Sequence, residues 1–325
     1  MTAPRGMRSV SDPTPDPIRK VRSVPMKAPT PASGLIIVDK PAGWTSHDVV
    51  SKLRRLAGTR RVGHAGTLDP MATGVLVVGV EKATRLLGHL ALTEKVYDGT
   101  IRLGVSTNTD DADGEVVAVT SAAGVTPEAV AAGVAELTGT IMQIPPQVSA
   151  IKVNGQRAYR RARAGEEVEL TARPVTVHSF EVTAFRPGED AATATKIVDV
   201  DVTVHCSSGT YIRALARDLG ERLGVGGHLT YLRRTRVGPY SLAQARTIEQ
   251  LSRSCEIMPI GEAVAAAFPR REVTAEQARV IAHGGRLPAA GLGPGPVGVF
   301  APDGTLLALV EERGGQARPL AVFVP

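Results

Sequence analysis

The 325-residue sequence predicts an α+β fold. Its central sheet should be mixed, largely antiparallel and flanked by helices, with a small β-rich domain after it. Three observations carry that expectation. Strand-like and helix-like runs mix without the regular βαβ rhythm of a parallel sheet. Several strand-like runs alternate apolar and polar residues, as a sheet with one covered face requires. From Phe268-Pro-Arg-Arg271 onward the chain turns to short strand-like runs separated by Gly and Pro.

The elements follow in order. Residues 1–33 hold seven prolines and almost no large apolar side chain, so they read as a disordered tail. Gly34-Leu-Ile-Ile-Val38 reads as a buried strand. Thr45-Ser-His-Asp48 matches a helix-capping box, with Val49, Val50, Leu53 and Leu56 following at helical spacing. Gly74–Val80 reads as a second buried strand, residues 81–90 as a helix and Lys95–Leu103 as an alternating strand. Thr126-Pro127-Glu128 opens another helix with a cap and a proline at its first position. Val198, Val200, Val202 and Val204 mark a half-buried strand, and residues 210–223 a helix. Thr274-x-x-Gln277 caps a short helix, and strand-like runs follow near 297–301, 306–310 and 319–324. The domains predicted are thus 34–255, with an inserted loop over 143–174, and 270–325.

Composition narrows the function classes. Net charge is +6, of which the tail carries +4 and the rest of the chain +2, so any nucleic-acid affinity must come from local clusters. Cys206 and Cys255 form no CxxC pair, and the seven histidines show no ligand spacing, so the sequence offers no metal motif. His205 and His228 read as single packed or surface residues. No apolar stretch approaches a membrane span, and a reducing, cytoplasmic setting fits.

Chemistry concentrates in Gly63-His-Ala-Gly-Thr-Leu-Asp-Pro-Met-Ala-Thr-Gly74. This loop has a backbone suited to close approach and one acid, Asp69, at its centre. A plain Gly-rich turn capped by Asp69 competes with that reading. In Cys206-Ser-Ser-Gly-Thr-Tyr-Ile-Arg213 a strand ends and a helix begins, with Tyr211 and Arg213 in the first turn. A cation there opposes the helix dipole, so Arg213 should answer a carboxylate elsewhere, in a site or simply in a structural ion pair. Tyr97, beside charges on a strand, is either a stacking surface or an ordinary half-buried residue. Arginine clusters at Arg54/Arg55 with Lys52, Arg60/Arg61, 157–163, Arg233/Arg234/Arg236 and Arg270/Arg271 suit phosphate recognition. They also fit solvated faces paired with acids such as the 110–115 run.

These segments, with Gly34-Leu-Ile-Ile-Val-Asp-Lys-Pro-Ala-Gly-Trp-Thr-Ser46, Lys95-Val-Tyr97, the run from Gln143 to Gly155, Ser208–Arg213 and His228–Arg234, resemble the bacterial TruB-type tRNA pseudouridine synthases over residues 34–255. The C-terminal part is similar to the family's PUA-like domain. The resemblance implies Asp69 as the catalytic carboxylate and Arg213 as its partner. Tyr97 would stack on the uracil and take the C5 proton. Tyr211 and Leu232 would line the pocket, and His64 would fill the gap left by a flipped base. Lys40 and Pro41 would support the catalytic loop. The implied substrate is the uridine at position 55 in the T-arm stem-loop of tRNA, handled by a monomer without cofactor. Two other readings are a non-catalytic RNA-binding or RNA-folding protein and an acid–base hydrolase using Asp69 with Asp39.

Overall fold

In the computed structural model the described residues are 32–146, 152–153, 156–157 and 170–324. Residues 1–31 of the tail, and Arg160, Arg161 and Arg163 of the 157–163 arginine cluster, fall outside them. Most of the 143–174 insertion does too, apart from its two ends and the short pair β8 (Lys152–Val153) and β9 (Gln156–Arg157).

The central sheet is built on β1 (Gly34–Lys40), paired along its length with β3 (Thr73–Val80), which also holds β2 (Val62–Ala65). β3 continues into β12 (Gly227–Val237), β4 (Lys95–Leu103), β11 (Lys196–Cys206), β10 (Arg173–Glu189) and β7 (Gly139–Gln143). Among the described residues of this sheet, only β3–β12 and β1 with β14 (Arg246–Thr247) run parallel. A short ribbon, β5 (Val105–Thr107) with β6 (Val116–Val119), springs from the end of β4.

Burial explains the two kinds of strand seen in the sequence. On β1 and β3, Ile36, Val38, Leu76 and Val78 pack with Val49, Val50 and Leu53 of the helix Ser46–Leu56. Leu35, Ile37, Val75 and Val77 point the other way, against Tyr240, Phe300, Leu306 and Phe323. Both faces are covered, so these strands are continuously apolar. β4 instead alternates buried with half-buried residues. Ile101 and Leu103 join Leu215 and Leu219 of the helix Ile212–Arg222, while Asp98, Thr100 and Arg102 bond polar partners on β11 across the open face.

The capping box at Thr45 and Asp48 forms as expected. Residues 81–91 differ: a 3-10 turn over Glu81–Leu86 precedes a short α-helix, Leu87–Ala91, and Glu81 enters it with φ +52°. Beyond Arg270 the chain forms a five-stranded sheet in the order β16 (Arg270–Glu272), β18 (Pro296–Phe300), β19 (Leu306–Arg313), β20 (Gln316–Val322), β17 (Leu287–Pro288). It is not an appendage: Phe300, Leu306, Leu309 and Phe323 share one apolar cluster with β1 and β3.

Candidate active site

Asp69 lies in the loop between β2 and β3, which is held from two sides. From the β1 side, Ser46 Oγ accepts from the Leu68 N–H (2.9 Å) and donates to the Leu68 carbonyl (3.1 Å). The Lys40 ammonium donates to the carbonyls of Pro41 (2.9 Å), Trp44 (2.6 Å) and Pro70 (3.1 Å). Lys40 is buried, and burial lowers its pKa to about 8 against the opposing pull of Asp69. From the other side comes Arg234 of β12, 1% exposed, which donates to the carbonyls of Val75 (2.8 Å), Gly66 (3.1 Å) and Thr67 (3.4 Å). Gly74 permits this closeness: its φ is +97°, and a Cβ there would stand 2.2 Å from the Arg234 carbonyl oxygen.

Arg234 is therefore not a phosphate contact, contrary to the clustering read from the sequence. Its charge is spent on carbonyls of the loop and of β3. Arg234→Met should leave several of them unsatisfied, each at a cost of about 1–3 kcal/mol. A fall in Tm of at least roughly 4 °C by calorimetry is expected, and an unchanged Tm would contradict the clamp.

Arg213 enters from the start of the helix Ile212–Arg222. Its Nε is 3.0 Å from Asp69 Oδ2, so the predicted pairing is present. The same guanidinium lies 3.3 Å from Asp111 Oδ2 and donates to the Thr109 carbonyl at 2.7 Å. Asp111 belongs to the acidic run that read as a solvated face, yet it is buried. Its carboxylate also accepts from the Thr109 hydroxyl (2.6 Å) and the Asp113 N–H (3.1 Å). Tyr211 is the extended N-cap of the helix rather than part of its first turn. Gln143 fixes it there, accepting from the Tyr211 N–H (2.8 Å) and donating to its carbonyl (3.1 Å), and the Arg173 guanidinium sits 5.0 Å over its ring.

These groups surround a cleft of about 280 Å³, lined by Asp69, Tyr97, Tyr211, Arg213 and Leu232 among others. Lys95 also lines it, donating to the Ala91 and Thr93 carbonyls, with a pKa lowered by burial to about 8. His64 on β2 and Pro41 lie outside the lining. Asp39 lies outside it as well and is paired at 2.7 Å with Arg233, which leaves the hydrolase reading without its second acid.

Burial raises the pKa of Asp69, Arg213 opposes the shift, and the Asp111 charge adds to it. Its side chain is nonetheless 36% exposed, because it faces the cleft. A reaction needing the carboxylate should then lose kcat/KM on acidification at a pH above the aspartate reference value of 3.8. Asp111→Asn removes the neighbouring negative charge and should move that acid limb to lower pH. A pH–rate profile checks both, and a limb that stays put or rises would remove Asp111 from this role. Burial likewise raises Tyr97, so its hydroxyl is held as the neutral phenol.

Family models and similar proteins cover most of the chain. A family model described as TruB family pseudouridylate synthase (N terminal domain) matches residues 54–212. A tRNA pseudouridylate synthase B C-terminal domain matches 213–262, and tRNA Pseudouridine synthase II, C terminal, matches 268–324. Two similar proteins are named tRNA pseudouridine synthase B. The one from Thermobifida fusca is 66% identical over 90% of this chain and 99% of its own length. The one from Streptomyces coelicolor is 63% identical over 90% and 98%. Among solved structures, a Cbf5-Nop10-Gar1 complex matches with TM-score 0.66 and 28% identity, covering 90% of this chain and 84% of that one. An H/ACA RNP bound to a substrate RNA containing 2'-deoxyuridine matches with the same TM-score and 25% identity, covering 90% and 85%.

The family models and these relatives place the chain among the pseudouridine synthases, enzymes that isomerise a uridine within RNA. Within that class it belongs to the TruB family.

Proposed function

We propose that the chain converts the uridine at position 55, in the T-arm stem-loop of tRNA, to pseudouridine, acting in the cytoplasm as a monomer without cofactor. The observation that carries this reading is the Asp69–Arg213 pair at 3.0 Å on the wall of a cleft also lined by Tyr97, Tyr211 and Leu232. The relatives named tRNA pseudouridine synthase B support tRNA as the substrate class.

The reaction breaks the N1–C1′ bond, turns the ring and joins C5 to C1′. No electrons are gained or lost, so a carboxylate, a proton acceptor and a desolvated pocket suffice. The target base leaves its stack and enters the cleft, and His64 fills the gap it leaves in the RNA. Asp69, held in one orientation by Arg213, acts on the base or its sugar. Tyr97 and Leu232 sandwich the ring, and Tyr211 closes the wall. The neutral phenol of Tyr97 fits a stacking platform better than a resting base, because this pocket disfavours the phenolate that would accept the C5 proton. Lys40 and Pro41 support the loop from below. Residues 34–255 form the catalytic domain, the 143–174 insertion serves RNA binding, and 270–325 form a PUA-like domain.

Pseudouridine mapping on an unmodified tRNA transcript incubated with the protein alone tests this. One new pseudouridine at position 55 is expected, before and after exhaustive chelation and dialysis. Modification elsewhere, or none, would overturn the assignment.

A further inference from the structure

The open face of the central sheet carries a second cluster of chemistry-bearing side chains. Glu94 closes the turn before β4, His205 is the penultimate residue of β11, and His178 lies on β10. The β10–β11 register slips between Val177 and Ser179, so His178 is the residue the ladder skips. Such a bulge re-aims a side chain, and here it sets the His178 ring 4.8 Å from that of His205. Both rings offer Nε2 to one carboxylate, at 3.2 Å from Oε1 for His178 and 2.8 Å from Oε2 for His205.

Hydrogen bonding alone leaves this cluster in conflict. The Glu94 carboxylate needs a proton on His205 Nε2, yet Arg236, which can only donate, points a guanidinium nitrogen at the same atom from 3.3 Å. One ring nitrogen cannot satisfy both. A cation on Nε2 would serve His205 and Glu94 together and displace Arg236.

We infer that Glu94, His178 and His205 form a binding site for a divalent cation of the zinc class, with water completing the shell. Two imidazoles and a carboxylate are the donor set such a metal takes. Zn–N and Zn–O distances of about 2.0–2.2 Å place neighbouring tetrahedral donors roughly 3.3–3.5 Å apart. The three donor atoms already lie within 4.8 Å of one another, so side-chain rotations that close the widest separation by about 1 Å bring them to that geometry. All three side chains are reachable from solvent, at 51%, 34% and 29% exposure. The metal would tie the turn before β4 to the β10–β11 pair, on the opposite face of the sheet from Tyr97. It is a stabilising clasp outside the reaction.

Calorimetric titration of the untagged full chain with zinc chloride tests the site. The expected result is one equivalent bound with a Kd in the micromolar range or tighter, a Tm raised by a few degrees, and a pseudouridine-forming rate that zinc does not change. His178→Gln/His205→Gln should weaken binding at least tenfold and lose the Tm rise. Glu94→Gln gives an independent measurement should that double variant fail to fold. Arg236→Ala should bind several-fold tighter, which a site elsewhere on the chain would not show. The inference fails if no saturable uptake occurs up to 100 μM zinc. It also fails if the ligand variants bind like the parent, or if Arg236→Ala leaves the affinity unchanged.

Discussion

Asp69→Asn is expected to lower turnover at least about a thousandfold while leaving tRNA affinity within a few-fold. Asn keeps the shape of the side chain and loses the charge. Among the described residues, nothing else lining the cleft can replace that charge: Tyr97 and Tyr211 are phenols, and Lys95, Arg213 and Arg234 are cations. The nearby acid, Asp111, is buried on the far side of the shared Arg213 guanidinium.

Stability should move the other way. The folded protein raises the Asp69 pKa, so it binds that proton more tightly than the unfolded chain does. Stability therefore falls as pH rises from the unfolded to the folded value, and the ionised group remains a net cost above that window. Asn carries no such cost, so the variant should melt no lower than the parent at neutral pH. Tritium release from C5-labelled uridine, filter binding and a thermal melt test the three statements. Appreciable residual turnover would mean that another group does the chemistry. A lower Tm would show that Asp69 serves the fold as well.

What the sequence made legible here follows from range. Local signals were enough for the capping box at Thr45, the buried strands β1 and β3, and the Gly-rich loop that presents Asp69. The helix dipole at Arg213 was itself an argument for a distant carboxylate, and Asp69 answers it. Other features depended on contacts the sequence does not display. Arg233 and Arg234 are neighbours on one strand, so their side chains leave on opposite faces. One meets Asp39 and the other clamps the catalytic loop, and a cluster of basic residues cannot say which is which. Asp111 sits in a run of acids that looks solvated. Thr107, which donates to its backbone carbonyl, and Thr109, which donates to its carboxylate, are the only local hint that this acid turns inward. Gln143 opened what read as an insertion, yet its amide pins the N-cap at Tyr211 across the sheet. The metal clasp needed a bulge that shifts one histidine by a register, which no spacing rule would place.

Arg213→Lys should prove far from conservative, costing on the order of a hundredfold in single-turnover rate with little loss of RNA affinity. Arg213 is 4% exposed and spends its planar head on three acceptors at once: Asp69, Asp111 and the Thr109 carbonyl. An ammonium on a shorter stem cannot span two carboxylates and a carbonyl in one plane, nor fix the Asp69 carboxylate in one orientation. A displacement of about 1 Å at the reacting group is enough for a loss of that size. Affinity should survive because Arg213 is buried behind the carboxylate, while the exposed Arg55, Arg60 and Arg61 remain available for phosphates. Two adjacent carboxylates under a poorly placed cation should also raise the Asp69 pKa further, so the acid limb of the rate profile should move to higher pH, opposite to its shift in Asp111→Asn. Single-turnover kinetics across pH, with filter binding on the same tRNA, separate the cases. If Arg213→Lys loses rate only in proportion to affinity, and its acid limb stays where the parent's lies, then Arg213 grips the RNA and does not position Asp69.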